Sequence, residues 1–339
     1  MDYKSRLLEI VNRFEEQRII IAGDLILDKS LFGKPEKISI EAPVQVIKVQ
    51  RIEYYPGGSG NVFANISSLG GHSYLCGTIG NGKIGERLKK ELSKKNKDAL
   101  DGVISTNRQT TLKTRIYGES MHYSQQMLRI DHENTSEVKE KIIKKILEKL
   151  HKHQKINPAK ILIFSDYAKG FLNPDSVRLF IEFCKEYRIK TIVDPKPSVK
   201  EPEKIKKYVG CFGFKPNEDE AQIISGLYLN EKNTLRDIAD RCMEILRPEG
   251  FLLITRSEKG MKLYTPNGKE LEIPPIKVEV ADVTGAGDTT ISALSLALSS
   301  GATLEEASEI ANYAASEKVK KRGTATVSEK ELTDLIEKL

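Results

Sequence analysis

Short apolar runs that end in polar or charged residues recur along this chain. The first, "RIIIAGD", closes on Gly23-Asp24, and "KILIFSD", "IKTIVDP", "CFGFKPN" and "GFLLITRS" follow the same design. β-Branched runs of this length read as strands buried on both faces. Amphipathic segments lie between them. In "NPDSVRLFIEFCKEY" the apolar Val177, Phe180, Ile181 and Cys184 advance in steps of three and four, as do Leu235, Ile238, Cys242 and Ile245 in "TLRDIADRCMEIL". The alternation predicts an α/β fold with a mostly parallel sheet covered on both sides and chemistry at the carboxyl ends of the strands. Two stretches differ: "APVQVIKVQRIEYY" and "TLKTRIYGESMHYSQQMLRID" alternate apolar and polar residues, as half-exposed antiparallel strands do. They are expected to form a small lid, inserted at about 30–55 and 110–131, on one domain spanning 1–339. No repeat or long linker divides it.

Composition narrows the partners. The formal charge of +6 on 339 residues comes from lysines in runs such as "RLKKELSKKNK" and "KEKIIKKILEKLHKH", which read as solvated helix faces. Without aromatic interleaving they argue against nucleic-acid binding and leave only a mild preference for anionic substrates. Cys76, Cys184, Cys211 and Cys242 are widely spaced, which points to a reducing compartment and away from structural zinc. The N-terminus lacks the long apolar core of a secretory signal, and no run reaches the length of a membrane span. A cytoplasmic protein is expected.

Candidate chemistry concentrates in "DVTGAGDTT", residues 282–290, followed by the helical "ISALSLALSS". Free N–H groups and the helix dipole at such a start attract anions. The run lacks the lysine of a P-loop, and Thr290 stands where a dinucleotide fingerprint needs a small residue; "GGSGNVF" fails the same test. A consistent account has the nitrogens of Gly285, Ala286 and Gly287 cradle a transferring phosphoryl group while Asp288 takes the proton of an attacking sugar hydroxyl. The plainer reading of Asp288 is an acid stabilised by the helix dipole.

"DVTGAGD" resembles the second signature of the ribokinase-like (PfkB) sugar kinases, and "YYPGGSGNVFANISSLG" resembles their first. "KPNEDEA" is similar to their N-x-x-E motif and "ANYAA" to their adenine-pocket helix, in matching order over nearly the whole chain. Within that family "GDLILDK", "ISIEAPVQVIKV", "SQQMLRID", "SDYAKG", "DPK" and "TRSEKGM" look like the heptose-7-phosphate kinases of lipopolysaccharide-core assembly. Departures are Ile40 and Gln45 where prolines are usual, Ser59-Gly60 for two alanines, and Lys215 for a common threonine. The resemblance implies a three-layer α/β/α ribokinase-like fold with an antiparallel β lid. It also implies ATP-dependent phosphorylation of the anomeric hydroxyl of D-glycero-β-D-manno-heptose 7-phosphate to the 1,7-bisphosphate, for ADP-heptose and lipopolysaccharide-core synthesis. A kinase for another sugar or sugar phosphate, or a regulator without catalysis, are the alternatives. Many relatives carry a C-terminal nucleotidyltransferase; here the chain stops soon after "GTATVSEKEL", and that domain is expected to be absent.

The resemblance also implies roles. Asp288 is the base; Gly57 and Gly58 admit close backbone approach to the sugar, and Asp24 and Asn61 hold its hydroxyls. The distal phosphate needs a cation: Lys169 and Arg129 come first, then Lys196, with Gln126 and Asp194 nearby in sequence. Asn217 and Glu220 orient Mg²⁺ through water, although their spacing equally suits a helix capping box. Asn217, Ser257, Gly260 and Asn312 contact the nucleotide. Asp282, Thr284 and the loop near Gly323 resemble the monovalent-cation region of some relatives, and no potassium is assigned from them. Exposed lid edges invite a homodimer.

Overall fold

The computed structural model describes residues 2–96, 98–120 and 124–338. Helix α1 (Tyr3–Asn12) leads into strand β1 (Arg18–Gly23), from which the chain leaves the main body along β2 (Leu25–Ile38) and returns on β3 (Gln45–Gly58) into α2 (Ser59–Ser68). After β4 (His72–Gly80), α3 (Lys83–Ser93) and β5 (Val103–Thr106) it makes a second excursion along β6 (Thr111–Glu119) and β7 (Ser124–His132). The alternation then runs through α4 (Glu140–Ile156), β8 (Ile161–Ser165), α5 (Pro174–Glu186), β9 (Lys190–Asp194), β10 (Gly213–Phe214), α6 (Glu218–Ser225), α7 (Leu235–Leu246) and β11 (Phe251–Thr255). A hairpin, β12 (Met261–Tyr264) and β13 (Glu270–Ile273), precedes α8 (Ala286–Ser299), α9 (Leu304–Val319) and α10 (Glu329–Glu337).

The main sheet has the order β13-β12-β11-β10-β9-β8-β1-β4-β5. It is parallel from β11 to β5 and antiparallel across the hairpin edge. Successive strand residues point to opposite faces, and the core divides accordingly. Ile19 and Ile21 pack with Leu75 and Ile163 beneath α1, α2, α8 and α9 through Leu7, Val62, Leu294 and Ile310. Ile20 and Ala22 pack with Leu162 and Phe164 beneath α4, α5 and α7 through Ile146, Phe180 and Ile238. The sheet is thus the middle of three layers. Periodicity passes over β4: glycines and polar residues interrupt the apolar run in "HSYLCGTIG", although all but His72 are buried beside β1.

The two alternating stretches form a separate lid in the order β3-β2-β6-β7. Residues 121–123 of the second stretch lie outside the described residues. The pairs β2–β3 and β6–β7 are antiparallel, whereas β2–β6 is parallel. Both β2 and β6 follow strands of the main sheet that run towards its carboxyl edge, so they leave the body in the same direction. The four cysteines are free and buried. Among the described residues no helix is long and apolar enough to cross a membrane.

Candidate active site

The carboxyl ends of β1, β8, β9 and β10 are neighbours in the sheet, and each is followed by a polar residue: Asp24, Asp166-Tyr167, Asp194 itself and Lys215. Helix α8 points its N-terminus at this edge and brings Asp288, 6% exposed, among them. Both carboxylate oxygens of Asp288 are held. The Tyr167 hydroxyl donates to Oδ1 at 2.5 Å, and the Asn61 amide donates to Oδ2 at 2.6 Å. Asn61 is fixed in turn by Asn65, whose side-chain carbonyl accepts from Thr289, the residue after Asp288 on α8. Burial pushes the Asp288 carboxyl above its ordinary value of 3.8, while Tyr167, Asn61 and Lys215 oppose that rise. Burial and the adjoining carboxylates raise Tyr167 well above its ordinary value of 10, so it remains protonated and a donor. Each carboxylate oxygen keeps lone-pair capacity beyond these bonds, which suits Asp288 to accept a proton from a third, aimed hydroxyl.

Gly285 caps α8 with φ of +83°, and a side chain there would meet the Asn61 amide at 2.8 Å. Glycine is therefore required both by conformation and by the approach of Asn61. The expected cradle needs one correction. The Ala286 N–H is engaged by the Val283 carbonyl at 3.2 Å, so Gly285, Gly287 and Asp288 are the residues whose amides can face an anion. Beside them lies the Lys215 ammonium, 3.3 Å from where a Cβ on Gly287 would stand. Its side chain is only 3% exposed and pairs with Asp194 at 2.9 Å. Burial opposes the charge on Lys215, but Asp194, Glu220 and Asp288 outweigh it and hold the ammonium protonated. A helix N-terminus and a buried cation thus converge beside the candidate base, an arrangement suited to stabilising phosphoryl oxygens.

Asp24, expected to hold sugar hydroxyls, has a structural task as well. Its carboxylate accepts the backbone N–H groups of Tyr167 and Lys169 on one oxygen and of Phe171 on the other, at 3.0–3.1 Å. It anchors the "SDYAKG" loop and through it aims Tyr167. Arg108 completes that anchorage by donating to the Lys169 carbonyl. Asn61 adjoins Asp288, giving one of its two amide N–H groups to the carboxylate. Gly57 marks the close approach: a Cβ there would lie 2.2 Å from Asp28 Oδ2. Gly58 caps α2. Lys169 pairs with Glu133 at 2.7 Å, and the exposed Arg129 pairs with Asp131. Gln126 lies exposed on the same lid strand. Lys196 belongs elsewhere, on Glu220 at 3.1 Å.

Asn217 and Glu220 do form a capping box on α6: Asn217 Oδ1 accepts the Glu220 N–H, and Glu220 Oε2 accepts the Asn217 N–H. With its other oxygen on Lys196, Glu220 fits a cation held through water better than direct ligation. Among the described residues no group of three His, Cys, Asp or Glu side chains is placed to hold a metal directly; Mg²⁺ carried on phosphates needs no such cage. Ser257 is exposed and Gly260 buried at the turn after β11, and Asn312 on α9 donates to the Pro274 carbonyl. Asp282 accepts from Thr284 and Gly323, tying together the two loops singled out for a monovalent cation.

Sequence reasoning missed Asp28 and Tyr167. Asp28 is 5% exposed, pairs with Arg115 of β6 and lies close enough to Asp288 to repel its charge. The available signal was the second acid of "GDLILDK", four residues beyond Asp24 in an otherwise apolar run.

A model of the pfkB family carbohydrate kinases matches residues 18–331. The chain is 38% identical over 316 residues to the bifunctional protein HldE of Citrifermentans bemidjiense, covering 93% of this chain and 62% of that protein. HldE of Geobacter sulfurreducens is 37% identical over 314 residues, with 92% and 61% covered. The chain therefore spans about six-tenths of the length of these curated relatives. Among solved structures, phosphofructokinase-2 from Escherichia coli in complex with potassium superposes with a TM-score of 0.75 at 18% identity, covering 95% of this chain and 98% of that one. Ribokinase from Thermotoga maritima gives 0.69 at 20% identity, with 95% and 99% covered. At that identity both show the fold.

Proposed function

The chain belongs to the pfkB family of carbohydrate kinases, and from that premise we propose that it transfers the γ-phosphoryl group of ATP to the anomeric hydroxyl of D-glycero-β-D-manno-heptose 7-phosphate, giving the 1,7-bisphosphate. The observation that carries the reading is Asp288, held at the mouth of α8 by Asn61 and by Tyr167 of the heptose-type "SDYAKG" loop. The identity to HldE proteins over nine-tenths of the chain supports the choice of sugar.

In this account the anomeric hydroxyl docks against Asp288, which accepts its proton as the oxygen attacks the γ-phosphorus in line. The O–P bond to the attacking oxygen forms, the bond to the bridging oxygen breaks, and ADP leaves with that oxygen. The amides of Gly287 and Asp288 and the Lys215 ammonium receive the charge of the transferring group, which in a loose transition state is the larger part of catalysis. Mg²⁺ arriving on the nucleotide would neutralise phosphate charge, with Asn217 and Glu220 holding it through water. The Asp282 junction is the proposed place for a monovalent cation. The bisphosphate would serve ADP-heptose and lipopolysaccharide-core synthesis in the cytoplasm. Nucleotidyl transfer is not assigned to these residues.

A homodimer paired through the lid is also proposed. Ile52, Leu31, Ile116 and Leu128 align in register across its four strands, on the face away from Asp28. Ile52 and Leu128 are 47% and 54% exposed, an apolar row that a second copy would cover.

An ADP-release assay across sugars and sugar phosphates tests the acceptor. Heptose 7-phosphate should be preferred by kcat/KM over fructose 6-phosphate, ribose and unphosphorylated heptose. Preference for ribose or fructose 6-phosphate would overturn the choice of sugar.

A further inference from the structure

Four cations and three carboxylates meet where the lid faces the "SDYAKG" loop. Arg115 pairs with Asp28, Arg129 with Asp131 and Lys169 with Glu133. Lys113 is left over: no ion pair or hydrogen bond engages its ammonium among the described residues. Its position is defined by register, opposite Asp28 on β2 and Asp131 on β7, so its side chain lies on the face that carries Asp28. The ammonium stands 6.0 Å from the centre of the Tyr167 ring, and the hydroxyl of that ring holds Asp288. Lys113 is therefore on the acceptor side of the base, separated from it by one tyrosine.

We propose that Lys113, together with Lys169, seats a second anionic group of the acceptor, a phosphate monoester at the end of the sugar remote from the reacting hydroxyl. The inference rests on the reading of the chain as a sugar-phosphate kinase and adds a residue that the motifs did not single out. The local charge count favours an anion here. Each nearby carboxylate already has a cation, and the two lysines repel one another in a half-buried setting; burial and Lys169 both act to lower the Lys113 ammonium, opposed by Asp28, Asp131 and Glu133. A dianion between the lysines would relieve that repulsion, and a phosphate monoester offers three oxygens for two ammonium groups. Lys169 is presented by a loop that Asp24 and Arg108 fix through its backbone, so the seat needs little ordering on binding.

Lys113→Met keeps the stem over Tyr167 and removes the charge; Lys113→Arg restores charge. With heptose 7-phosphate, Lys113→Met should raise KM by about ten- to a hundredfold, the loss of a charge-assisted contact, while kcat changes little and Lys113→Arg recovers part of the affinity. With unphosphorylated heptose the wild type and Lys113→Met should have the same kcat/KM. An unchanged KM for the phosphorylated acceptor, or an equal loss with both acceptors, overturns the proposal and leaves Lys113 a lid-packing residue. If the wild type phosphorylates no sugar phosphate, the functional reading fails by itself. Calorimetric binding of heptose 7-phosphate then decides the seat: binding that is lost in Lys113→Met supports it, and absent or equal binding overturns it.

Discussion

Asp288→Asn should lower kcat by about 10²–10⁴-fold, the span of a positioned general base, while ATP binding measured by calorimetry stays near wild type. The substitution keeps the size of the side chain and the backbone N–H at the mouth of α8, so what is lost is the ability to take a proton. The wild-type pH profile should show the same group. Burial raises the Asp288 carboxyl above 3.8, and the base works only when ionised. Activity should thus be present above its pKa and disappear as pH falls through it, with the acid limb of kcat/KM above the ordinary carboxylate range. Full turnover in Asp288→Asn would exclude the proposed base.

Lys215→Met should lower both stability and turnover. Removing one partner of a buried ion pair leaves the other uncompensated, a loss of about 3–5 kcal/mol. Asp194, with a side chain 15% exposed, would be that survivor. Burial already pushes its carboxyl up to about 7 despite Lys215, and loss of the ammonium moves it higher. A carboxyl with a raised folded-state pKa loses stability as pH rises from the ordinary value of 3.8 to the raised one and no further above it, so the variant's deficit relative to wild type should widen above about 7, where the wild-type carboxyl ionises and the variant's stays protonated. Urea unfolding at pH 6 and pH 8 measures this difference. Turnover should fall as well, because the same ammonium lies beside the amides of α8. Wild-type unfolding free energy at pH 8 would contradict the buried pair, and wild-type turnover would contradict its place at the phosphoryl group.

The layers of the fold and the candidate base were legible because each depends on local pattern. Apolar runs ending in polar residues marked β1, β8, β9, β10 and β11, and the glycine-bearing helix start marked Asp288. Partners were not legible. Asp24 and Asn61 are residue types that bind sugars, and the sequence does not reveal that the first also bonds three backbone amides or that the second also holds the base. These contacts join positions more than a hundred residues apart, which no periodicity encodes. Lys215 stood out only as a departure from a common threonine, and its meaning appears when β10 is placed beside β9 and opposite α8. The cations of the lid were similarly hidden. Arg129, from a heptose-type motif, is exposed and paired, whereas Lys113, from an unremarkable alternating strand, is half-buried over Tyr167.

The most direct test of the central claim is the position of the new phosphate. Purified enzyme incubated with ATP and heptose 7-phosphate can be followed by phosphorus NMR with proton coupling. The account predicts a bisphosphate whose original ester is intact and whose new phosphorus couples to the anomeric proton, formed one for one with ADP. ADP released with the heptose 7-phosphate unchanged, or a phosphate appearing on any other carbon, would contradict it.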